Sequence, residues 1–150
     1  MKWFTREWAS GGLTDEEWES RRQDYASHLD AIGPQLRNGA EELIASVNLH
    51  DAQILSANTG GATFHLRVIA GDLQRGYERL SLTYDDVVSE GLVVDSETHA
   101  DVSEIVHDEV DLSPDSRFEH RLLLWPEGEL CIRFRTLQVQ RQPASPADRR

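Results

Sequence analysis

The sequence has little cysteine, no long apolar run and few basic residues, and each shortage excludes a class of protein. The single cysteine, Cys131, excludes an internal disulfide framework and is typical of a reducing compartment. No apolar run follows Lys2, as a signal peptide would require, and no stretch approaches the ~18 apolar residues of a membrane span. We therefore expect a cytoplasmic protein that does not enter a membrane.

Basic residues are outnumbered by acidic ones, 15 to 27, which gives a net charge of −12. This balance argues against nucleic acid as a direct ligand, because phosphate binding needs Lys and Arg. Twelve of the carboxylates lie between Asp85 and Glu119, where Arg117 is the single base. The stretch is either a solvated face that keeps the protein soluble or a surface for a basic partner or a cation. For the second alternative we name Asp95, Glu97 and Asp101 as the acidic partner surface.

The common catalytic signatures are also missing. The sequence contains no G-x-S-x-G, H-E-x-x-H, Walker or G-x-G-x-x-G motif. Imidazole and carboxylate groups can bind a metal or share a proton, and six of them form a candidate polar cluster: His50, Asp51, Glu104, His107, Asp108 and Glu109. Strand alternation would put His107 and Glu109 on one face, and Asp108 with Glu104 on the other. We expect mainly structural roles for these residues and predict no metal or cofactor.

The N-terminal third predicts helices. Thr14 and Glu17 form a capping box, and Trp18, Tyr25, Leu29 and Ile32 recur on one helical face. Gly33-Pro34 ends this helix and can begin a second one that runs to Val47. Residues 14–32 and 34–47 thus predict an αα-hairpin.

After Asn48 the apolar period changes from that of a helix to that of a strand. The clearest unit is a hairpin from Phe118 to Gln140 with a three-residue loop at Pro126–Gly128. This loop predicts Leu122 opposite Ile132, with Leu122 and Leu124 on a buried face and Leu123 on the outer face.

The fold prediction is α+β, with the αα-hairpin packed on a mostly antiparallel meander of five or six strands. We expect a single globular domain over residues 1–141, helical to residue 47 and a sheet from residue 51. The polar, proline-bearing residues 142–150 predict a flexible tail.

Three short motifs resemble those of a bacterial family. The opening Met1-Lys2-Trp3-Phe4-Thr5-Arg6 is similar to that of an uncharacterised domain-of-unknown-function family whose members begin Met-Lys-aromatic-Phe-Thr-basic. His50-Asp51-Ala52 and Asp108-Glu109-Val110 resemble motifs of that family and of immunity-like proteins from bacterial toxin loci. The resemblance implies no known activity, cofactor or catalytic residue.

Three functional alternatives follow. The first is an acidic bacterial protein that binds a basic protein partner without catalysis, as an immunity or inhibitor protein would. The second is a small metal-dependent hydrolase that uses His50, Asp51, His107 and Glu109. The third is a structural or regulatory module without a site. The sequence favours the first and leaves the oligomeric state open.

Overall fold

The computed structural model describes residues 1–88 and 104–149. In chain order the described elements are α1 (Arg6–Ala9), α2 (Asp15–Ile32), a 3₁₀ helix (Gly33–Gln35), α3 (Ala40–Ala45), β1 (Ala52–Gly60), β2 (Thr63–Asp72), β3 (Gly76–Asp85), β4 (Glu104–Leu112), β5 (Phe118–Trp125), β6 (Glu129–Phe134), β7 (Thr136–Ala144) and a second 3₁₀ helix (Pro146–Asp148). The α+β class is confirmed. None of the described helices combines the length and the apolar character that a membrane crossing needs.

The described strands form one antiparallel sheet of seven strands rather than five or six, in the order β6-β5-β4-β1-β2-β3-β7. The additional strand arises at Arg135, where the predicted second strand of the hairpin divides into β6 and β7. One residue separates these two strands, yet they lie at opposite ends of the strand order. The sheet therefore curls until its ends meet at Arg135, whose backbone N–H donates to the Asp85 carbonyl at 3.1 Å.

The inside of the curled sheet and the helical segment share one apolar core. Side chains buried in it come from all seven strands, and residues 32–49 add Ile32, Leu36, Ala40, Leu43 and Leu49. The charged side chains on the outer faces of β4 and β5 are not part of this core.

The first predicted helix is confirmed, and the second is wrong over most of its length. The Thr14 hydroxyl accepts from the Glu17 N–H at 3.3 Å, and the Glu17 carboxylate accepts from the Thr14 N–H at 3.0 Å. The αα-hairpin fails at Asn38 and Gly39, which adopt positive φ and leave α3 with six residues. A Cβ on Gly39 would lie 1.9 Å from the Leu137 carbonyl oxygen, so only glycine permits this close approach to β7.

The hairpin is present, but its register differs from the prediction by two residues. Leu122 pairs with Leu130 instead of Ile132, because the loop is displaced by one residue: a Leu124 N–H to Gly128 carbonyl bond of 3.0 Å closes it around residues 125–127. The parity of the faces survives this shift. Leu123 is nevertheless buried, at 1% exposure, so the predicted outer face is not open to solvent.

The C-terminal residues also differ from the predicted flexible tail. β7 continues to Ala144, which pairs with Tyr77 of β3. Beyond it, the Arg149 guanidinium donates to the Asp51 carbonyl at 2.8 Å and to the Glu104 carboxylate at 3.0 Å. Residues 142–149 are thus tied to the sheet by specific hydrogen bonds.

Candidate functional site

β4 carries most of the candidate polar cluster, and an irregularity at Val106 decides where its side chains point. Ile105 pairs with Leu124 and His107 with Leu123, so β4 has an extra residue, Val106, between the two pairs. This bulge reverses the alternation on its N-terminal side. Glu104 consequently shares the outer face with His107, and the prediction that it shares the side of Asp108 is wrong.

His50 and His107 are brought together by this bulge. Their rings stack with centroids 4.5 Å apart and planes 9° from parallel. Nδ1 of His50 lies 2.7 Å from the Val106 carbonyl oxygen, which can only accept, so Nδ1 carries the proton. Burial, and in second place the charge of His50, lower the pKa of His107 to about 4. His107 is therefore a neutral ring at pH 7.

The stacked histidines are packed into aromatic surroundings. The rings of His107 and Trp8 pack edge to face with their centroids 4.7 Å apart, and the Phe4 ring centroid lies 5.3 Å from that of His107. A metal lies in the plane of each imidazole that binds it, at about 2.0–2.1 Å from the nitrogen. Two nearly parallel planes do not meet at that range, so this arrangement suits packing and not chelation.

Glu109 is occupied by the N-terminal segment. Its carboxylate is fully buried and accepts from three successive backbone amides, those of Lys2 (2.8 Å), Trp3 (2.6 Å) and Phe4 (2.6 Å). Nη1 of Arg121 lies 3.7 Å away. These amides satisfy the carboxylate that the hydrolase alternative would use as a ligand or base, so Glu109 organises the fold.

Asp108 points to the opposite side of β4 and belongs to a buried chain of polar groups that the sequence analysis missed. Nε2 of His120 lies 3.0 Å from the Asp108 carboxylate, and Nδ1 lies 2.8 Å from the Tyr84 hydroxyl. His120 and Tyr84 are both fully buried. Donation to the carboxylate leaves Nδ1 free to accept the Tyr84 proton. Burial raises the pKa of Tyr84 well above its ordinary value, so Tyr84 is a neutral donor.

The remaining members of the cluster have structural partners. Asp51 lies 3.5 Å from Nδ1 of His50 and is exposed, and Arg149 binds both its carbonyl and the Glu104 carboxylate. Among the described residues, no group of three or more His, Cys, Asp or Glu side chains is arranged to hold a metal ion. The four residues of the hydrolase alternative are therefore neighbours on one face without converging on a common point.

Most of the carboxylates of the acidic third that the structure describes are paired with bases. Asp111 is met by Arg121 at 3.4 Å and by Lys2 at 3.7 Å. Glu119 is held by Arg121 and Arg133. Similar ion pairs join Asp86 to Arg117 and Arg135, Asp115 to Arg117, and Glu104 to Arg149.

Linear charge counting could not show this, because all of these bases except Arg117 lie outside the acidic third of the sequence. The proposed partner surface of Asp95, Glu97 and Asp101, and the apolar residues Leu92 to Val94, lie outside the described residues. They stay predictions.

Comparison with known proteins gives no family for this chain: no family model matches it, and neither a curated protein nor a solved structure is significantly similar. The resemblance to the bacterial family therefore stays a prediction as well.

Proposed function

We propose that this chain binds a basic protein partner through exposed carboxylates and catalyses no reaction itself. One observation carries the proposal. The polar residues that suggested catalysis are taken by internal partners, among which the burial of Glu109 under three backbone amides is the most complete. The described surface also carries exposed carboxylates that have no ion pair within the described residues.

Part of that charge lies on the solvent side of α2. Asp15, Glu16, Asp24 and Asp30 are exposed and have no ion pair within the described part of the chain. Arg22 pairs with Glu19 at 3.2 Å, and Arg21 donates to the Thr5 hydroxyl at 3.1 Å, so neither base neutralises them. The helix therefore presents a negative strip.

The sequence places further carboxylates in the stretch that contains Asp95, Glu97 and Asp101, which has no Lys or Arg. Clustered charges attract an oppositely charged partner over about 8–10 Å at physiological ionic strength and speed the encounter. An immunity or inhibitor role towards a basic toxin is one function of this type.

The test compares three double charge reversals that change the net charge equally. Asp24→Lys with Asp30→Lys alters α2, and Asp95→Lys with Glu97→Lys alters the second stretch. Glu7→Lys with Glu127→Lys is the matched control at other exposed positions. Proteins captured from a lysate of the source cells are identified, and their association rates are measured from low to high salt, with lysozyme as a nonspecific basic reference.

We expect the specific partner to be basic, its association to slow with salt, and at least one of the first two variants to slow it about tenfold relative to the control. A captured partner whose association is independent of salt and of both test reversals would contradict the proposal. The third alternative, a module without a site, predicts that the protein captures no partner more strongly than lysozyme.

A further inference from the structure

A groove of about 630 Å³ lies on the outer face of the sheet, and none of the six residues of the candidate polar cluster is among those that line it. Its floor belongs to β1, β2 and β3, and its wall is the C-terminal 3₁₀ helix. The residues that line it are Gln53, Ile54, Leu55, Ser56, Arg67, Arg79, Ala147 and Asp148. Its volume is within the range of small-molecule sites, about 300–1,000 Å³.

Two arginines from adjacent strands face this groove. Arg67 pairs with Ser81 across the β2–β3 ladder, and Arg79 lies two residues from Ser81 on the same face. Diagonal neighbours of this kind are about 7–8 Å apart, which is within the reach of two long side chains. On its other side, β2 pairs with β1, and there Ser56 lies opposite Arg67, next to the bulge at Leu55. The strands thus bring two guanidinium groups and a hydroxyl to one place.

The two arginines of this groove have fewer ion-pair partners than the charged side chains near β4. Arg67 is exposed and makes no hydrogen bond or ion pair within the described residues. Arg79 has one acidic partner, Asp148, at 3.3 Å. A second groove of about 360 Å³ also contains two arginines, Arg37 and Arg117, but Arg117 is already held by two carboxylates. The first groove is therefore a positive site on an acidic protein.

Asp148 shows which chemistry the groove accepts. One oxygen of its carboxylate caps the 3₁₀ helix by accepting from the Ser145 N–H at 2.8 Å and the Ser145 hydroxyl at 2.9 Å. The other oxygen accepts from the Arg79 guanidinium at 3.3 Å, a longer contact than charge-assisted hydrogen bonds usually have. An internal oxyanion thus sits at Arg79, while Arg67 beside it has none.

We propose that this groove binds a small molecule through an oxyanion, a carboxylate or a phosphate, which Arg67 and Arg79 hold together, and that Asp148 competes with this ligand for Arg79. The proposal is independent of the partner-binding function. Guanidinium groups match the geometry of both oxyanions through paired N–H donors.

The test titrates ¹⁵N-labelled protein with inorganic phosphate, and in a second arm with succinate, at pH 7 and constant ionic strength. The arginine Nε–H signals report binding. Arg67→Gln removes the unpaired guanidinium, and Arg75→Gln, at an exposed position in the β2–β3 turn, is the matched control. Asp148→Asn keeps an oxygen that can cap the 3₁₀ helix and removes the competing charge.

We expect saturable shifts of Arg67 and Arg79 in the wild type. Arg67→Gln should weaken binding about tenfold or more, the loss that corresponds to charged hydrogen bonds, while Arg75→Gln leaves it unchanged. Asp148→Asn should tighten binding several-fold, which a purely structural role of Asp148 would not produce. The arm with the tighter binding identifies the oxyanion.

The proposal is overturned if neither anion gives saturable shifts at these arginines, or if Arg67→Gln and Arg75→Gln behave alike. Equal affinities of the wild type and Asp148→Asn for the anion would contradict the proposed competition between Asp148 and the ligand. Arg67 is exposed, so its variant is expected to fold, and a wild-type-like backbone spectrum checks this in the same experiment.

Discussion

The outer faces of β4 and β2 differ in what happens to their polar side chains. On β4, His107, Glu109 and Asp111 are covered by the N-terminal segment and α2, and internal partners satisfy them. On β2, Arg67 stands open beside a groove. Clusters of ionisable residues therefore mark a ligand site only where the fold leaves them without partners.

The largest expected effect concerns Glu109. Glu109→Ala should destabilise the protein by about 3–5 kcal/mol, because it leaves three partly buried amides and Arg121 without their acceptor. Glu104→Ala, on the same face but only half-buried and held by a single ion pair, should cost less than about 1 kcal/mol. Urea unfolding of both variants measures the difference. Equal losses of stability would show that the Glu109 carboxylate contributes no more to the fold than that of Glu104.

Leu123 lies on the same outer face of the sheet as Glu109 and His107, and its burial predicts how much its truncation costs in free energy of unfolding. Leu123→Ala should destabilise by about 2–5 kcal/mol, as much as Leu124→Ala, since Leu123 is 1% and Leu124 5% exposed. Leu73→Ala, at 82% exposure in the β2–β3 turn, is the control and should change little. If Leu123→Ala costs as little as Leu73→Ala in urea unfolding, the N-terminal segment does not cover this face.

The pH dependence of stability tests the environment of His107. Its folded pKa of about 4 lies below the ordinary value of 6.5, so below pH 6.5 the unfolded chain takes up a proton that the folded protein refuses. Stability should fall as the pH is lowered from about 6.5 to 4 and stay constant above. With the partial exposure of the ring discounted, the loss is about 1–2 kcal/mol.

His107→Gln should remove this loss, so the difference in unfolding free energy between wild type and variant should shrink towards pH 4. Unfolding in urea at pH 4, 5, 6 and 7 measures it. If the difference in unfolding free energy between wild type and His107→Gln does not depend on pH, the His107 ring is exposed to solvent and not buried.

Substitution of Arg67 on the outer face of β2 should change the free energy of unfolding least. Arg67→Ala should alter the free energy of unfolding by less than about 0.5 kcal/mol, because Arg67 is exposed and has no partner within the described residues. Thermal unfolding compares it with the wild type. A clear loss of stability would show that Arg67 is structural and would remove the contrast between the two faces.

Sequence reasoning predicted the elements that depend on local pattern. The capping box at Thr14 and the apolar parity of the hairpin are local, and both are present. The division at Arg135 was missed because no glycine or proline marks it, although the apolar positions change parity there, from Leu130, Ile132 and Phe134 to Leu137 and Val139. The break at Asn38 and Gly39 was missed because its cause is β7, about a hundred residues later in the chain.

Sequence reasoning grouped the residues of the candidate polar cluster correctly in part, but it could not predict their partners, which again lie far away in the chain. The proximity of His50 and His107 is real, but the partners that decide their roles lie far away in sequence. Glu109 is satisfied by residues 2–4, and Asp108 by His120. The groove gave no motif at all, because Arg67, Arg79 and Asp148 are joined only by strand pairing and by the final turn of the chain.

Amide hydrogen exchange of Lys2, Trp3 and Phe4 tests the central claim most directly. If the covered face of β4 is structural, these three amides, which donate to the buried Glu109 carboxylate, should be protected in the wild type although they lie at the chain's beginning. Glu109→Gln keeps one accepting oxygen but loses the charge, so it should reduce that protection while the amides of β2 and β3 keep theirs. Exchange of all three amides at unfolded-chain rates in the wild type would contradict the account.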